Sequence, residues 1–334
     1  MNFDLLYSLC NMDGASGDED AVSKFIAENI NDFSDELYKD SVGNIYALKK
    51  GFGSNKKTVM LCAHTDEVGL IISSVTDDGY LNFRTIGGID SGVLLAKRVR
   101  IGKNKVPGVI GRKAIHLMNK DEREKRIQIR DMYIDIGVSS KEEALKIVNL
   151  GDYANFVTES EKIGNAFKAK SIDDRAGCFA LIEIIKEKYY DDVWFCFTVQ
   201  EEVGLRGATI AARRINPDIC IVLESTTCLD MPDTSYDKVS TRIGDGVAIT
   251  IADRATFPNV SLREELKEAS PKCQFKNAYA GGNDAGTVHI RNIRTEALSV
   301  PARYIHSPVS IIALKDLESL ITTVKMYLVR EEDD

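Results

Sequence analysis

The sequence has no apolar run approaching the roughly eighteen residues that a membrane-crossing helix requires. Its first residues, Met1–Leu5, lack the positive charge and the cleavage site of a secretory signal. The seven cysteines include no Cys-x-x-Cys pair, which argues against a zinc finger or a disulfide framework. Cysteines inside apolar runs are typical of a reducing compartment, so we expect a cytoplasmic protein that does not engage a membrane.

Positive charge is also in short supply. Lysine and arginine number 43 against 51 aspartates and glutamates, which gives a net charge of -8. A basic surface for nucleic acid or for an anionic membrane is therefore not expected. Apolar residues make up 44% of the 334-residue chain and charged residues 28%, as in ordinary globular proteins. The length predicts two domains, or one domain with an insertion.

Three apolar runs predict strands that are buried on both faces, as in a parallel sheet covered by helices: Thr58–His64, Val193–Val199 and Ile219–Leu223. Helical stripes occur between them and at both ends of the chain, in Gly17–Ile30 and in the last helix with Leu317, Leu320, Ile321, Val324 and Leu328. This alternation predicts an α/β fold.

The pattern changes between residues 69 and 163. Short alternating segments separated by turn residues replace the helical stripes, namely Arg98–Ile101, Gly108–Gly111, Ile127–Ile129 and Met132–Ile136. Only Ser140–Asn149 is typical of a helix, with Ser140 as its cap. We therefore predict a β-rich domain at 69–163, inserted into an α/β catalytic domain formed by 1–68 and 164–334.

Acidic residues and histidines stand where strands are predicted to end: His64, Asp173, Glu201 with Glu202, Glu224 and His306. Two imidazoles with three or four carboxylates suit a dinuclear site for zinc or cobalt, and also for manganese. Such a site needs a bridging carboxylate, and an unligated carboxylate nearby can take a proton from a shared water. Asp66 follows His64 by two residues, and its carboxylate could fix the imidazole tautomer in support of catalysis.

The motifs that carry these residues resemble those of the M42 family of metallo-aminopeptidases, which includes tetrahedral and glutamyl aminopeptidases. They are Ala63–Gly69 (AHTDEVG), Asp173–Arg175 (DDR), Gln200–Gly204 (QEEVG), Glu224–Thr227 (ESTT) and Arg303–Ser307 (RYIHS). The resemblance spans nearly the whole chain. It implies a mixed-sheet catalytic domain, similar to the phosphorylase/hydrolase fold, and an inserted barrel or PDZ-like domain that builds dimers and often dodecamers.

The resemblance also implies a role for each site residue. His64 would bind one metal ion and His306 the other, with Asp173 as the bridging ligand before a cis peptide bond to Asp174. Glu201 is similar to the family's general base and Glu202 to a metal ligand. Glu224 occupies the last acidic ligand position, with one or both of its oxygens as donors.

Five further residues have simpler interpretations. We expect His116 to pack in the β-rich domain and His289 to be a core or supporting residue. Asp284, in the glycine-rich segment Gly281–Gly286, is interpreted as turn chemistry, although that turn could approach the substrate. Asp230 is interpreted as a turn residue and Arg175 as an ion-pair partner of nearby carboxylates.

The expected function is hydrolysis of N-terminal residues from peptides with a free N-terminus, using two divalent ions and Glu201 as base, in a homo-oligomer. Another two-metal hydrolase, either a carboxypeptidase or a deacylase, is the first alternative. A metal-free glycoside hydrolase with paired carboxylates is the second. It leaves both histidines unexplained and places the single tryptophan, Trp194, in a buried strand. A non-enzymatic assembly protein is the third alternative.

Overall fold

The computed structural model describes residues 1–232, 234, 240–277 and 281–329. Its strands are β1 Glu36–Lys39, β2 Ile45–Lys49, β3 Thr58–His64, β4 Gly69–Val75, β5 Leu81–Ile86, β6 Arg98–Ile101, β7 Val106–Arg112, β8 Met132–Asp135, β9 Tyr153–Phe156, β10 Glu161–Ile163, β11 Ala166–Ala169, β12 Asp192–Thr198, β13 Ile219–Thr227, β14 Val247–Ala252, β15 Cys273–Asn277, β16 Arg294–Arg303 and β17 Ser310–Ala313. The α-helices are α1 Phe3–Asn11, α2 Asp20–Ile30, α3 Lys120–Glu124, α4 Lys141–Leu145, α5 Ile172–Ile184, α6 Arg206–Ile215, α7 Val260–Ala269, α8 Ala285–Val288 and α9 Leu314–Leu328.

A mixed sheet forms the larger part of the molecule, in the order β1-β2-β12-β3-β13-β16-β17-β11-β10, with β14 and β15 attached beside β16. The strands β12, β3, β13 and β16 run parallel to their neighbours in that order. The predicted central strand, β12, is parallel only to β3 and runs antiparallel to β2 on its other side. The prediction of a parallel strand was therefore right for one edge of β12.

Both faces of this sheet are covered, which explains why its strands are apolar throughout. Val59 and Leu61 of β3 pack in one core with helices α1, α2, α5, α7 and α9. Met60 and Cys62 point to the other face and pack with α6 and α8. The alternation follows from the two-residue repeat of a strand. No helix in the described part of the chain is both long enough and apolar enough to cross a membrane.

The segment between β3 and β10 forms a closed barrel in the order β4-β5-β8-β7-β6-β9. It has its own apolar core, which includes Leu70, Leu81 and Ile134. Glu161–Ile163, which the sequence assigned to the inserted domain, pairs instead with β11 of the large sheet. The observed α/β fold with a mixed sheet and a separate small barrel confirms the predicted fold class.

Several predicted element boundaries were wrong. The helix predicted over Gly17–Ile30 begins only at Asp20, and the helix predicted over Ser140–Asn149 ends at Leu145. The Ser140 hydroxyl does cap that helix, accepting a hydrogen bond from the N–H of Glu143 at 3.3 Å. Ile127–Ile129 lies outside the barrel strands, and a short helix, α3, lies nearby.

Candidate metal centre

The candidate site forms where the parallel strands of the large sheet end. β3 ends at His64, and Gln200–Glu202 follow β12, the next strand in the sheet. Glu224 lies within β13, which continues to Thr227, so it does not end its strand as predicted. Asp173 lies in the first turn of α5, also not at a strand end. The carboxyl ends of adjacent parallel strands share one edge of the sheet, which is why these side chains meet.

His64 forms a buried half of the site. Its Nε2 lies 3.4 Å from Asp173 Oδ1 and 3.4 Å from Glu224 Oε1, and its side chain is only 2% exposed. Its Nδ1 lies 3.1 Å from the main-chain oxygen of Asp66. A carbonyl oxygen can only accept, so Nδ1 carries a proton, and in the neutral imidazole the lone pair lies on Nε2. This is the state in which histidine binds a metal ion.

His306 forms the second half in the same manner. Its Nε2 lies 3.2 Å from Asp173 Oδ2 and 3.3 Å from Glu202 Oε1. Its Nδ1 lies 3.0 Å from the carbonyl oxygen of Gly88, in the segment between β5 and β6. Nε2 is again free to act as a ligand. The loop of the barrel domain thus orients one ligand of the centre.

Asp173 is common to both halves, since each of its carboxylate oxygens faces a different histidine. Among the described residues, its Oδ1 is a buried oxygen that lacks a hydrogen bond. The peptide bond from Asp173 to Asp174 is cis, as the resemblance implies. A buried oxygen without a donor, beside an imidazole nitrogen that can offer a lone pair, fits a cation as their common partner.

Asp174 is a possible ligand that the sequence did not reveal. His64, Asp174 and Glu224 offer ligand atoms within 4.8 Å of one another, and so do Asp173, Glu202 and His306. However, Asp174 Oδ1 accepts the N–H of Gly177 at 2.9 Å. Asp173 contacts both histidines, so it fits a shared ligand better than Asp174 does. Only the structure brings out this choice, because the two aspartates are adjacent in sequence.

The electrostatic environment of the buried carboxylates in this cluster favours the binding of positive charge. Burial raises the pKa of Glu224 to about 8 and that of Glu202 to about 7. Burial also raises the pKa of Glu201. For Asp173, burial raises the pKa, but the neighbouring imidazoles of His306 and His64 outweigh this effect and lower it. Divalent ions held by these side chains would compensate the negative charge of the buried carboxylates.

Asp66 supports the site differently from the prediction. The carbonyl of Asp66 holds His64, while its carboxylate accepts the N–H of Glu201 at 3.0 Å and that of Glu202 at 3.1 Å. The carboxylate also accepts the hydroxyl of Ser16 at 2.6 Å. Although Asp66 Oδ1 lies 3.4 Å from His64 Nδ1, the carbonyl is the closer acceptor. Asp66 therefore connects the histidine with the glutamate pair.

A second buried network lies behind the site, and of its members the sequence predicted only Arg175, as an ion-pair partner. The ammonium of Lys170, whose side chain is 1% exposed, donates to Glu67 Oε1 at 2.5 Å and to the Met12 carbonyl at 2.7 Å. Ser171 donates to the other oxygen of Glu67. Arg175 is buried as well and donates to backbone carbonyls, with its charge 3.8 Å from Glu67. Glu67 and Ser171 flank the ligand segments, so this network ties those segments together.

A cleft of about 1560 Å³ opens in front of the metal ligands. One wall comes from the barrel side, including Gly88 and Asp90, and the other from the large sheet, including Glu201. Two lysines, Lys97 and Lys276, also line it. Lys276 is buried and lies 3.7 Å from Asp253. A peptide in this cleft would reach Glu201 and both imidazoles.

Three of the remaining interpretations need correction. Asp284 is more than turn chemistry, because its buried carboxylate accepts the Thr198 hydroxyl at 2.7 Å and burial raises its pKa to about 6. Asp230 forms a two-point ion pair with Arg303, with both contacts at 2.8 Å. His116 is exposed and does not pack in the barrel.

His289 is half-buried, and its Nδ1 lies 2.9 Å from the Ala285 carbonyl, consistent with a supporting role. The signal for Asp284 was its position after two glycines, which the sequence could not distinguish from an ordinary turn.

Comparison with known proteins shows to which class of enzyme this chain is similar. The model of the M42 glutamyl aminopeptidase family matches residues 43–323. A proposed aminopeptidase of Acetivibrio thermocellus is 38% identical over 327 residues, covering 96% of either chain. The TET1 peptidase of Pyrococcus horikoshii, which can assemble into a tetrahedron or a large octahedral shell, has a TM-score of 0.88 and 32% identity, covering 98% of this chain and 99% of its own.

A third similar protein carries a different name. A structure named as an endoglucanase of Thermotoga maritima has a TM-score of 0.81 and 34% identity, covering 97% of this chain and 96% of its own. The fold and the family match nevertheless define a hydrolase of the aminopeptidase class. The chain belongs to the M42 family of metallopeptidases, as the resemblance of its motifs implied.

Proposed function

We propose that this protein is a dinuclear aminopeptidase that shortens peptides from a free N-terminus. The observation that carries the proposal is the placement of Asp173, whose two oxygens face two different histidines. His64 and Glu224 would hold one ion, His306 and Glu202 the other, and Asp173 both. Zinc or cobalt suits these ligands best, and manganese is a further option. When bound, the ions would act as Lewis acids on the scissile carbonyl and on the attacking water.

The chain's own residues would handle the proton. Glu201 lines the cleft, and burial raises its pKa, which makes its carboxylate a stronger base. The carboxylate of Asp66 accepts the backbone N–H of Glu201 and so holds this residue in place. Glu201 would therefore take the proton from the attacking water and pass it to the leaving amine. Carboxylates at the end of the cleft would hold the positive α-amino group of the substrate.

The test of Glu201 is its replacement by glutamine, which keeps the shape and removes the base. Glu201→Gln should retain two ions per chain and lose roughly two to four orders of magnitude in turnover. Metal analysis of the purified variant accompanies the kinetics. Glu202→Gln is the matched comparison and should lose metal. If the two variants behave the other way round, the roles of the two glutamates are exchanged.

A second test separates the aminopeptidase from a carboxypeptidase or a deacylase. A short peptide with a free N-terminus should be shortened one residue at a time from that end. Its acetylated form should remain intact, because acetylation removes the positive charge that the carboxylates recognise. Mass spectrometry of the products reads the direction of the ladder. Steady cleavage of the acetylated peptide, or a ladder from the C-terminus, contradicts the proposal.

Glycoside hydrolysis is the rival that one similar structure's name favours. A metal-free mechanism with paired carboxylates gives no use to His64 and His306, which the fold brings to the same aspartate. Chelation decides between the two. Loss of peptidase activity on chelation supports the dinuclear enzyme, whereas hydrolysis of a β-glucan that survives chelation supports the rival.

We also propose that the chain forms a homo-oligomer that is built from dimers and extends up to a dodecamer. The domain at residues 69–163 would make contacts between subunits. The assembly of the TET1 relative supports this. A solution mass of one chain at micromolar concentration would contradict it. The seven cysteines, all within the described residues, are unpaired, which is consistent with the proposed cytoplasmic location.

A further inference from the structure

The loop that bears Glu201 and Glu202 is held by three consecutive backbone N–H groups. Those of Glu201 and Glu202 donate to Asp66, at 3.0 and 3.1 Å. The N–H of Gln200 donates to Glu19 Oε1 at 3.2 Å. The carboxylates of Glu19 and Asp66, which are far apart in sequence, thus accept all three hydrogen bonds. Glu19 belongs to the N-terminal segment and was not identified from the sequence.

The loop needs such support because of its backbone conformation. Gln200 has a φ of 58°, in the left-handed region that residues other than glycine seldom adopt. A residue there persists only when its surroundings hold it in place. Because Gln200 directly precedes Glu201, its conformation sets the direction in which the next two side chains leave the loop. A change at Gln200 would therefore move Glu201 and Glu202 relative to the histidines.

Glu19 is itself fixed by its own segment. Its Oε1 also accepts the N–H of Gly17 at 2.8 Å, and its side chain is buried. Ser16, in the same segment, donates to Asp66 Oδ2 at 2.6 Å. The N-terminal segment therefore reaches the loop by two routes, directly through Glu19 and indirectly through Ser16 and Asp66.

Folding stability does not explain a carboxylate in this position. Burial and the nearby carboxylate of Asp66 raise the pKa of Glu19 to about 7, although the N–H groups of Gly17 and Gln200 lower it in part. Burying a carboxylate beside another carboxylate costs free energy. Its benefit lies in the loop that it holds.

We infer that Glu19 is a positioning residue that holds the Gln200–Glu202 loop in the geometry required by the glutamate pair. The inference rests on the proposed function, because it assigns Glu19 a task in that reaction. Glu19 touches neither substrate nor metal ligand side chains, and acts through the N–H of Gln200. Its removal should therefore lower turnover more than substrate affinity.

The test compares three variants of Glu19 in the full-length protein. Glu19→Ala removes the acceptor and should lower kcat about 10- to 100-fold, as loss of an outer partner does, with KM within about threefold. Glu19→Gln keeps an acceptor oxygen without the charge and should stay within about threefold of the natural protein in kcat. Glu19→Asp keeps the charge but shortens the reach and should lose activity. Asp18→Ala, at the exposed neighbour, is the control and should change nothing.

Hydrogen–deuterium exchange gives a readout that does not depend on activity. The amides of Gln200–Glu202 should exchange faster in Glu19→Ala than in the natural protein, while metal content and melting temperature stay close to natural values. If Glu19→Ala does not fold, Glu19→Asp and Glu19→Gln decide the matter. Active Gln and impaired Asp variants support positioning, and equal impairment overturns it.

A natural kcat in folded Glu19→Ala also overturns the inference. The two proposals fail separately. An inactive natural protein contradicts the aminopeptidase, whereas unchanged exchange at Gln200–Glu202 contradicts the role of Glu19.

Discussion

The two halves of the candidate centre have the same chemistry and different surroundings. In each, a histidine turns its Nε2 toward Asp173 and its Nδ1 toward a backbone carbonyl. The side chain of His64 is 2% exposed, whereas that of His306 is 39% exposed. The buried half is fixed by residues of the large sheet, and the open half is oriented by Gly88 from the barrel side. We expect the ion at His306 to exchange more readily than the ion at His64.

The largest effect should come from removing what the two halves share. Asp173→Ala deletes the only carboxylate that contacts both histidines among the described residues, so neither ion keeps its ligand set. We expect loss of both ions and a drop in activity of more than about 100-fold, beyond the loss typical of an outer partner. Metal analysis and peptide hydrolysis measure it. Asp78→Ala, in an exposed turn, is the control. Retention of one tightly bound ion would mean that Asp174 can replace Asp173.

A smaller effect should distinguish the halves from each other. In the metal-free protein, His64→Ala leaves Asp173 and Glu224 buried without their partner, which should lower the free energy of unfolding by about 3 kcal/mol. His306→Ala opens onto the cleft, where water can replace the imidazole, and should cost about 1 kcal/mol or less. Denaturant unfolding measures both, with exposed His116→Ala as control. Equal losses would show that exposure does not separate the halves.

The smallest effect concerns pH. Burial raises the pKa of Glu202 to about 7 and that of Glu224 to about 8, and the carboxylates of Asp173 and Glu202 outweigh burial to raise that of His306 to about 9, all above the ordinary values of 4.5 for glutamate and 6.5 for histidine. Between the ordinary and the raised pKa values, the folded state binds more protons than the unfolded state. The free energy of unfolding therefore falls as pH rises through this range. From roughly pH 6 to pH 8 the melting temperature of metal-free protein should drop by about 2–4 °C. Metal-loaded protein should drop less, because cations replace the protons. A rise over this range would contradict the sign.

The sequence predicted those parts of the site that lie at the ends of apolar strands. His64 and the Glu201–Glu202 pair follow β3 and β12, and their proximity follows from the parallel arrangement alone. Glu224 could be recognised although it lies inside its strand, because its run of apolar neighbours stops there. The exposure of His306 was not predicted, because its segment, unlike the apolar run that ends at His64, gives no sign of how deeply its side chain is buried.

Contacts between distant segments were beyond the reach of the sequence. Glu19 reaches a loop 181 positions away, and nothing in its own neighbourhood marks it. Lys170 looked like one of many lysines, yet it is buried beside Glu67. For Asp66, the prediction concerned its carboxylate, whereas its backbone carbonyl is the nearer acceptor for His64, and a sequence pattern does not separate these two groups of one residue.

The order of the ligands along the chain has a consequence for synthesis on the ribosome. The barrel is continuous from Gly69 to Phe156 and can fold once that stretch has emerged, as domains generally do. The large sheet must wait for β16, and the centre must wait for His306, more than two hundred positions after His64. A nascent chain stalled before that point would carry the His64 half and lack its counterpart. Hydrolytic capacity should thus arise only after His306 has been added, so that shorter nascent chains pose no threat to neighbouring peptides.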